Sequence, residues 1–523
     1  MGKIISVEIS KKIVVINTVT NLLTYFFSIT LLIWVQQYLL RRISPEEYSL
    51  LPIVGSLVMF TPIITTIFIA GIGRYLVEAY AEGNELQVTK IVSSIWPILF
   101  ISGIIFSLLS FYLSINIESI LHIPKGYEEM TTLMLLVAFF NLLMAYILSP
   151  FLAGFNIRQK FYLGHFIDTI FEIFRIILLL LLLFKVSTSV LWVVVASSLS
   201  NVLKLIVKII ISCRLVPALR MRIRLFDFSI AKTVISFGVW SSLGQIGYRI
   251  RTAADPILLN LFTTPLDITT FHLGSMFRRQ FDSFLPSLTS SLQPALIAMH
   301  AKKEKERLKY LFYRLNKYLM WVTLLFISPL LVYRQELISL YVGNEYIEAA
   351  SVLGLLFVPA FLGMSIQLIW SLAPAIGKIK HMTIISFSMQ LCNLTLTIIL
   401  LKYFNMGAIG CALSTCITAF ISLVLFFLPL AMKLLNGKIS EWFYLTFLPG
   451  LLPAISALTI YGVLKMQFDS YSWMKLGCCF IVGSIGYIIT VVLCMNTNDK
   501  IEVIEMITGI RSKIVGFKNS TTK

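Results

Sequence analysis

Ile43-Ser44-Pro45-Glu46-Glu47-Tyr48 ends one long apolar run, and Thr263-Thr264-Pro265-Leu266-Asp267 ends another 220 residues further on. Two more echoes fall at nearly the same offset. Glu118-Ser119-Ile120-Leu121-His122-Ile123-Pro124 is matched by Glu336-Leu337-Ile338-Ser339-Leu340-Tyr341-Val342, about 218 residues on. Arg158 and Lys160 are matched by Lys378 and Lys380, again 220 apart. Each match is loose by itself, but three at one spacing indicate an internal duplication. The repeated unit holds six apolar runs, an even number. Both halves therefore enter a membrane in the same sense, related by a pseudo-twofold axis along its normal.

Working outward, the chain has 523 residues, 58% hydrophobic and 13% charged, with mean hydropathy +0.88. Soluble chains carry about 25% charged residues. A helix crossing a bilayer needs about 20 apolar residues. Spans are predicted near 13–40, 46–73, 90–113, 128–149, 162–184, 190–213, 233–261, 266–297, 311–333, 350–373, 380–402, 406–432, 442–465 and 473–495. The fold class expected is an all-α polytopic membrane protein of 14 transmembrane helices, built as two six-helix lobes plus two C-terminal helices. An N-terminal lobe over 1–213, a linker over 214–232, a C-terminal lobe over 233–432, spans over 433–498 and a tail over 499–523 follow. Val503, Ile507, Ile510 and Ile514 share one face of that tail, which should lie along the membrane surface.

Composition also excludes classes. A net charge of +18 would point a soluble chain toward nucleic acid, but here Lys and Arg mark loops. About 28 of them fall on one side and about eight on the other, which puts both termini in the cytoplasm. The seven cysteines lie in or beside apolar runs without zinc-ligand spacing, so they read as packing residues. The chain has no phosphate-cradling Gly-x-x-x-x-Gly-Lys-Ser/Thr loop and no His-Glu-x-x-His. No cofactor, metal or nucleic acid is implied.

The informative residues are charges inside the spans. Each costs about 2.5–3.5 kcal/mol at the centre of a helix. Arg175 sits mid-span, as do Arg249 and Arg251, and Arg278 and Arg279 lie about 18 Å deep at the helical rise. Facing lipid, the five would cost about 12–17 kcal/mol, the scale of a whole fold's stability. Glu172–Arg175, Arg251–Asp255 and Arg278–Asp282 are spaced for pairing, while Arg249 has no acid three or four positions away. Ser241, Gln245, Tyr248, Arg251, Thr252 and Asp255 fall on one side of a helical wheel. Asn21 and Tyr25 put uncharged hydrogen-bonding groups in the first span. Helix–helix polar contact explains such stripes as well as a cavity does. A cationic cavity between the lobes, suited to a phosphorylated ligand, is the expectation. Arg249, Arg251, Arg278 and Arg279 lead it; Arg175 and Arg74 follow. Asp168, Asp255 and Asp282 are the candidate ion-coupling acids.

Ile43-Ser44-Pro45-Glu46-Glu47-Tyr48, followed by Gly71-Ile72-Gly73-Arg74-Tyr75-Leu76-Val77-Glu78, resembles the polysaccharide flippase family. So do Val342-Gly343-Asn344-Glu345-Tyr346-Ile347-Glu348-Ala349-Ala350 and Gly407-Ala408-Ile409-Gly410-Cys411-Ala412-Leu413-Ser414. The resemblance runs over roughly residues 10–500, within the multidrug/oligosaccharidyl-lipid/polysaccharide exporter superfamily. Ser49 stands where glycine is expected, and Ile69-Ala70 where an aspartate is, which leaves the subfamily open. The resemblance implies a MATE-like fold and a flippase, not an enzyme, in the bacterial inner membrane. Its substrate would be undecaprenyl-diphosphate-linked oligosaccharide. Membrane lipids, a polysaccharide polymerase and chain-length machinery would be its partners, and a monomer its form. The alternatives are a cation-coupled multidrug exporter and a glycan polymerase or ligase. The first calls for acids in the first lobe, the second for a long catalytic loop.

Overall fold

The structure, a computed structural model, describes residues 34–158, 160–289, 304–375, 378–467 and 472–497, with residues 296, 299, 499 and 500 besides. Among them every regular element is helical. Nine helices among the described residues are long and apolar enough to cross a membrane. Helix Phe161–Lys185 is 25 residues long and outside the nine. Every 18-residue window of it contains Asp168, Glu172 and Arg175. Most of the expected spans that are described fall within a few residues of a helix, from Glu85–Ile115 to Trp473–Cys494; Pro45–Ala81 runs eight residues past its expected end, and 350–373 is broken. The count of fourteen is not established, since residues 1–33 lie outside the description.

Packing gathers the chain into two compact units, Met1–Leu273 with Ser386–Cys411, and Gly274–Ile385 with Ala412–Lys523. In the first unit, Val88, Ile91, Val92, Ile95 and Leu99 form the buried stripe of helix Glu85–Ile115. They pack with Ile72, Leu76, Tyr146 and Val234. The opposite stripe is apolar too, yet open: Ile101, Ile105, Leu108 and Tyr112 are exposed. Apolar side chains on both faces fit a helix with protein on one side and lipid on the other. Helix Phe228–Phe262, expected to open the second lobe, packs along Pro45–Ala81 within this unit.

The repeat is visible in local structure. Ser44 caps helix Pro45–Ala81, its Oγ accepting the Glu47 N–H at 3.3 Å. Thr264 does the same for Pro265–Thr289, its Oγ1 accepting the Asp267 N–H at 3.3 Å. Both helices begin on proline, whose missing N–H is one of the four orphans of a helix start.

The second unit differs from expectation at 350–373, predicted as one span. The chain there runs through Glu348–Phe357, Ala360–Gly363, Met364–Ile366 and Ile369–Ala375. Pro359 removes one hydrogen bond of the ladder. The freed backbone groups find side chains: buried Asn316 accepts the Leu368 N–H at 3.0 Å, and the Trp442 indole donates to Ser365 O at 3.3 Å. Without water at that depth, such partners are obligatory. The π-helical stretches Ser422–Phe427 and Phe443–Phe447 each lead into a proline, Pro429 and Pro449, and the wider turn accommodates a residue that cannot donate.

A buried ion pair secures the end of the described chain. Lys317 Nζ contacts Asp499 Oδ2 at 2.7 Å, and the Tyr318 hydroxyl donates to Asp499 Oδ1 at 2.7 Å. The Tyr318 and Trp321 rings flank the ammonium. The apolar face of the tail, from Val503 to Ile514, lies outside the described residues. Burial works against the Asp499 carboxylate, but the hydrogen bonds from Lys317 and Tyr318 outweigh it and hold its pKa below the usual range. A carboxyl titrating lower when folded stabilises above its unfolded value, about 3.9, and loses that contribution as pH falls through the folded one. Asp499→Asn should therefore lower the melting temperature of the purified protein at pH 6 to 8. The gap to wild type should close as pH is taken below 4. A gap independent of pH would show that the carboxylate's charge is not what holds the segment.

Candidate functional site: charges inside the membrane

The first six apolar runs contain five charged side chains lying four or more residues inside a run: Asp168, Glu172, Arg175, Lys204 and Lys208. The fold brings all five onto the adjacent helices Phe161–Lys185 and Leu191–Leu215. Helical spacing does the local work. Asp168, Glu172 and Arg175 fall at intervals of four and three, and Lys204 and Lys208 at four, so each set shares one face. Lys208 Nζ grips both Asp168 oxygens, at 2.7 and 2.8 Å. Lys204 Nζ stands further off, 3.8 Å from Oδ1. Arg175 meets Glu172 with two nitrogens, Nε at 3.1 Å and NH2 closer still. None of the five is sealed: their side chains are 17–34% exposed.

The second unit carries another cationic pair. Arg278 Nε donates to Asp282 at 2.9 Å, and its NH1 to Leu356 O at 2.9 Å. The Phe357 ring lies under the same guanidinium, 5.8 Å away. Arg279 donates to Ser275 Oγ. Both arginines thus have partners within the protein, as the pairing alternative required for Arg278 and as sequence did not foresee for Arg279.

The remaining sequence-predicted residues divide. Arg74 is exposed, its guanidinium 5.8 Å from the Tyr75 ring, and it belongs to neither cluster. Asp255 accepts a hydrogen bond from the fully buried Cys411 thiol. Asp168 and Asp282 are ion-paired. Ser241, Gln245, Tyr248, Arg249, Arg251 and Thr252 are on the helical backbone of Phe228–Phe262, and their side chains lie outside the description. Asn21 and Tyr25 lie outside the described residues altogether. Lys204 and Lys208 went unnoticed in the sequence. Two lysines one turn apart inside an apolar run were the signal, and only the neighbouring helix shows what they answer.

One end of the first unit is stitched shut. Asn260 behaves like a peptide group toward His122: its Oδ1 accepts the His122 N–H at 2.9 Å and its Nδ2 donates to His122 O at 2.7 Å. Tyr48 Oη lies 3.4 Å from His272 Nδ1, and Thr269 Oγ1 donates to Pro45 O at 3.2 Å. Asp267 Oδ1 accepts the Ala408 N–H at 3.0 Å, and its other oxygen takes the Thr264 hydroxyl at 2.8 Å. Gly407 beside it has φ +52°, and a Cβ there would sit 2.2 Å from Asp267 Oδ1. All these groups lie where Pro45–Ala81 and Pro265–Thr289 begin and Phe228–Phe262 ends, one membrane face by the alternation of helices.

A family model described as "Polysaccharide biosynthesis protein" matches residues 38–351. The chain belongs to that family. As a member of the polysaccharide biosynthesis family it is 19% identical, over 498 residues, to the "Uncharacterized membrane protein EpsK" of Bacillus subtilis (strain 168), covering 93% of this chain and 96% of that one. Among solved structures it resembles "Lipid II flippase MurJ, inward closed conformation", with TM-score 0.70, 16% identity, and 90% and 97% of the two chains covered. It also resembles an inward-facing multidrug resistance MATE transporter, with TM-score 0.61, 14% identity, and 78% and 95% covered. At these identities the likeness shows the fold: all-helical, multi-pass and MATE-like. The resemblance read from the sequence motifs is confirmed.

The closure yields a prediction for this family member. Asn260→Ala removes two hydrogen bonds at the stitched end, worth on the order of 1–2 kcal/mol together. Hydrogen exchange of the amides over 119–124 should accelerate about tenfold, with the amides of Glu85–Ile115 unchanged. Unchanged exchange at 119–124 would show that the pair does not hold the closure.

Proposed function

We propose that this protein flips an undecaprenyl-diphosphate-linked oligosaccharide, an O-antigen, capsule or exopolysaccharide repeat unit, from the cytoplasmic to the periplasmic leaflet of the bacterial inner membrane. The observation that carries the reading is the gathering of intramembrane charge into cation-rich clusters, Arg175, Lys204 and Lys208 in one unit and Arg278 and Arg279 in the other. Interior cations that are held in place yet not sealed by protein suit an anion that must leave water to cross. The family's description and the flippase among its structural neighbours support the same class of substrate.

In this reading Arg249 and Arg251 join the arginines in binding the diphosphate. Ser241, Gln245, Tyr248, Thr252, Asn21 and Tyr25 supply the neutral hydrogen-bonding groups that the sequence offers for the sugars, and Arg74 acts near a membrane face. The protein moves between inward- and outward-facing states, and the hydrogen-bonded end around Asn260 and His272 opens and closes in that cycle. Both termini are cytoplasmic, and a polymerase with its chain-length machinery takes over the delivered unit. Asp168, Asp255 and Asp282 are the candidate ion-coupling acids in this reading, and Asp168 and Asp282 are ion-paired with lysine and arginine. The drug-exporter reading is weaker for a related reason: Asp168 and Glu172, the interior acids of the first six runs, are both bridged by cations.

The test is complementation of a deletion strain with membrane levels monitored. Arg279→Glu should abolish surface glycan and accumulate lipid-linked oligosaccharide on the cytoplasmic side, while Arg279→Lys keeps part of the activity. Full surface glycan from the Glu variant at wild-type levels would refute the assignment.

A further inference from the structure

The cluster on helices Phe161–Lys185 and Leu191–Leu215 does not balance. It holds three cations, Arg175, Lys204 and Lys208, against two acids, Asp168 and Glu172, a surplus of one positive charge. No other Asp, Glu, Lys or Arg lies four or more residues inside the first six apolar runs, so sequence offers no further carboxylate of those runs to cancel it. A surplus cation at that depth costs about 2.5–3.5 kcal/mol unless water or a ligand meets it. The geometry singles out which cation is spare. Lys208 takes both oxygens of Asp168 at 2.7 and 2.8 Å, and Arg175 takes both of Glu172. Lys204 reaches an oxygen already held by Lys208, from 3.8 Å, and its side chain stays 30% exposed. Asp168, Lys208, Glu172 and Arg175 all act on it electrostatically.

We infer that Lys204 contacts the substrate, taking one phosphate of the lipid diphosphate inside the first unit, while Asp168 and Glu172 hold Lys208 and Arg175 beside it as a fixed cationic frame. This rests on the flippase reading and adds a contact in the first unit to the arginines expected from sequence. An ammonium on a flexible stem is a point-charge phosphate binder and needs no bidentate geometry, which suits a ligand that must be released. Neutralising Lys204 removes the surplus, so that variant is expected to fold at least as well as wild type. Neutralising Asp168 enlarges the surplus and strengthens the pull on an anion.

The experiment measures binding of farnesyl diphosphate to the full chain in neutral-lipid nanodiscs, with farnesol and inorganic pyrophosphate as comparison probes. Lys204→Met should weaken farnesyl diphosphate at least tenfold without lowering the melting temperature. Lys204→Arg should stay within about threefold of wild type, and Asp168→Asn should bind more tightly. Farnesol should bind at least tenfold more weakly than farnesyl diphosphate. If Lys204→Met binds like wild type while Arg279→Gln is weakened, the Lys204 contact is wrong and the flippase reading stands. If wild type itself does not distinguish farnesyl diphosphate from farnesol, the flippase reading falls with it. If pyrophosphate binds as tightly as farnesyl diphosphate, the site takes a free anion and the lipid assignment is overturned.

Discussion

Inside a bilayer a charge without a partner costs several kilocalories per mole, and the rest of this structure is arranged around that cost. Interior acids and bases lie on facing turns: Asp168 with Lys204 and Lys208, Glu172 with Arg175, Arg278 with Asp282. The same constraint governs the backbone. Where the ladder breaks between Glu348 and Ala375, Asn316 and Trp442 supply the missing partners. Charge and broken backbone are both tolerated, and each is tied to a named side chain.

That economy separates rigid from yielding parts. The stitched end of the first unit uses neutral bonds, Asn260 to His122, Tyr48 to His272, Thr269 to Pro45. Neutral hydrogen bonds are worth about 1 kcal/mol net and exchange readily with water. The ion pair of Lys317 with Asp499 lies deeper, between aromatic rings, and breaking it would strand a charge. In the proposed flipping cycle the neutral contacts are the ones that open, and the buried ion pair holds.

Much of the fold could be read from the sequence because hydropathy is a local property. Span positions, the echo of residues 43–48 in 263–267, and the family motifs needed no tertiary information. The site was less legible. Arg175, Arg278 and Asp168 stood out as charges in apolar runs, but Arg74 proved to be an exposed residue beside Tyr75. Lys204 and Lys208 went unnoticed, since nothing in their own run says which helix lies opposite. The break at Pro359 was missed because hydropathy stays high straight through it.

The sequence by itself determined a multi-pass helical membrane protein with an internal repeat, because apolar length and matched motifs are written residue by residue. Only the tertiary structure decided which charges answer one another. An ion pair between helices depends on which faces meet, and the facing of Asp168 to Lys204 and Lys208, 36 and 40 positions away, is set by packing. Helical period alone cannot supply it.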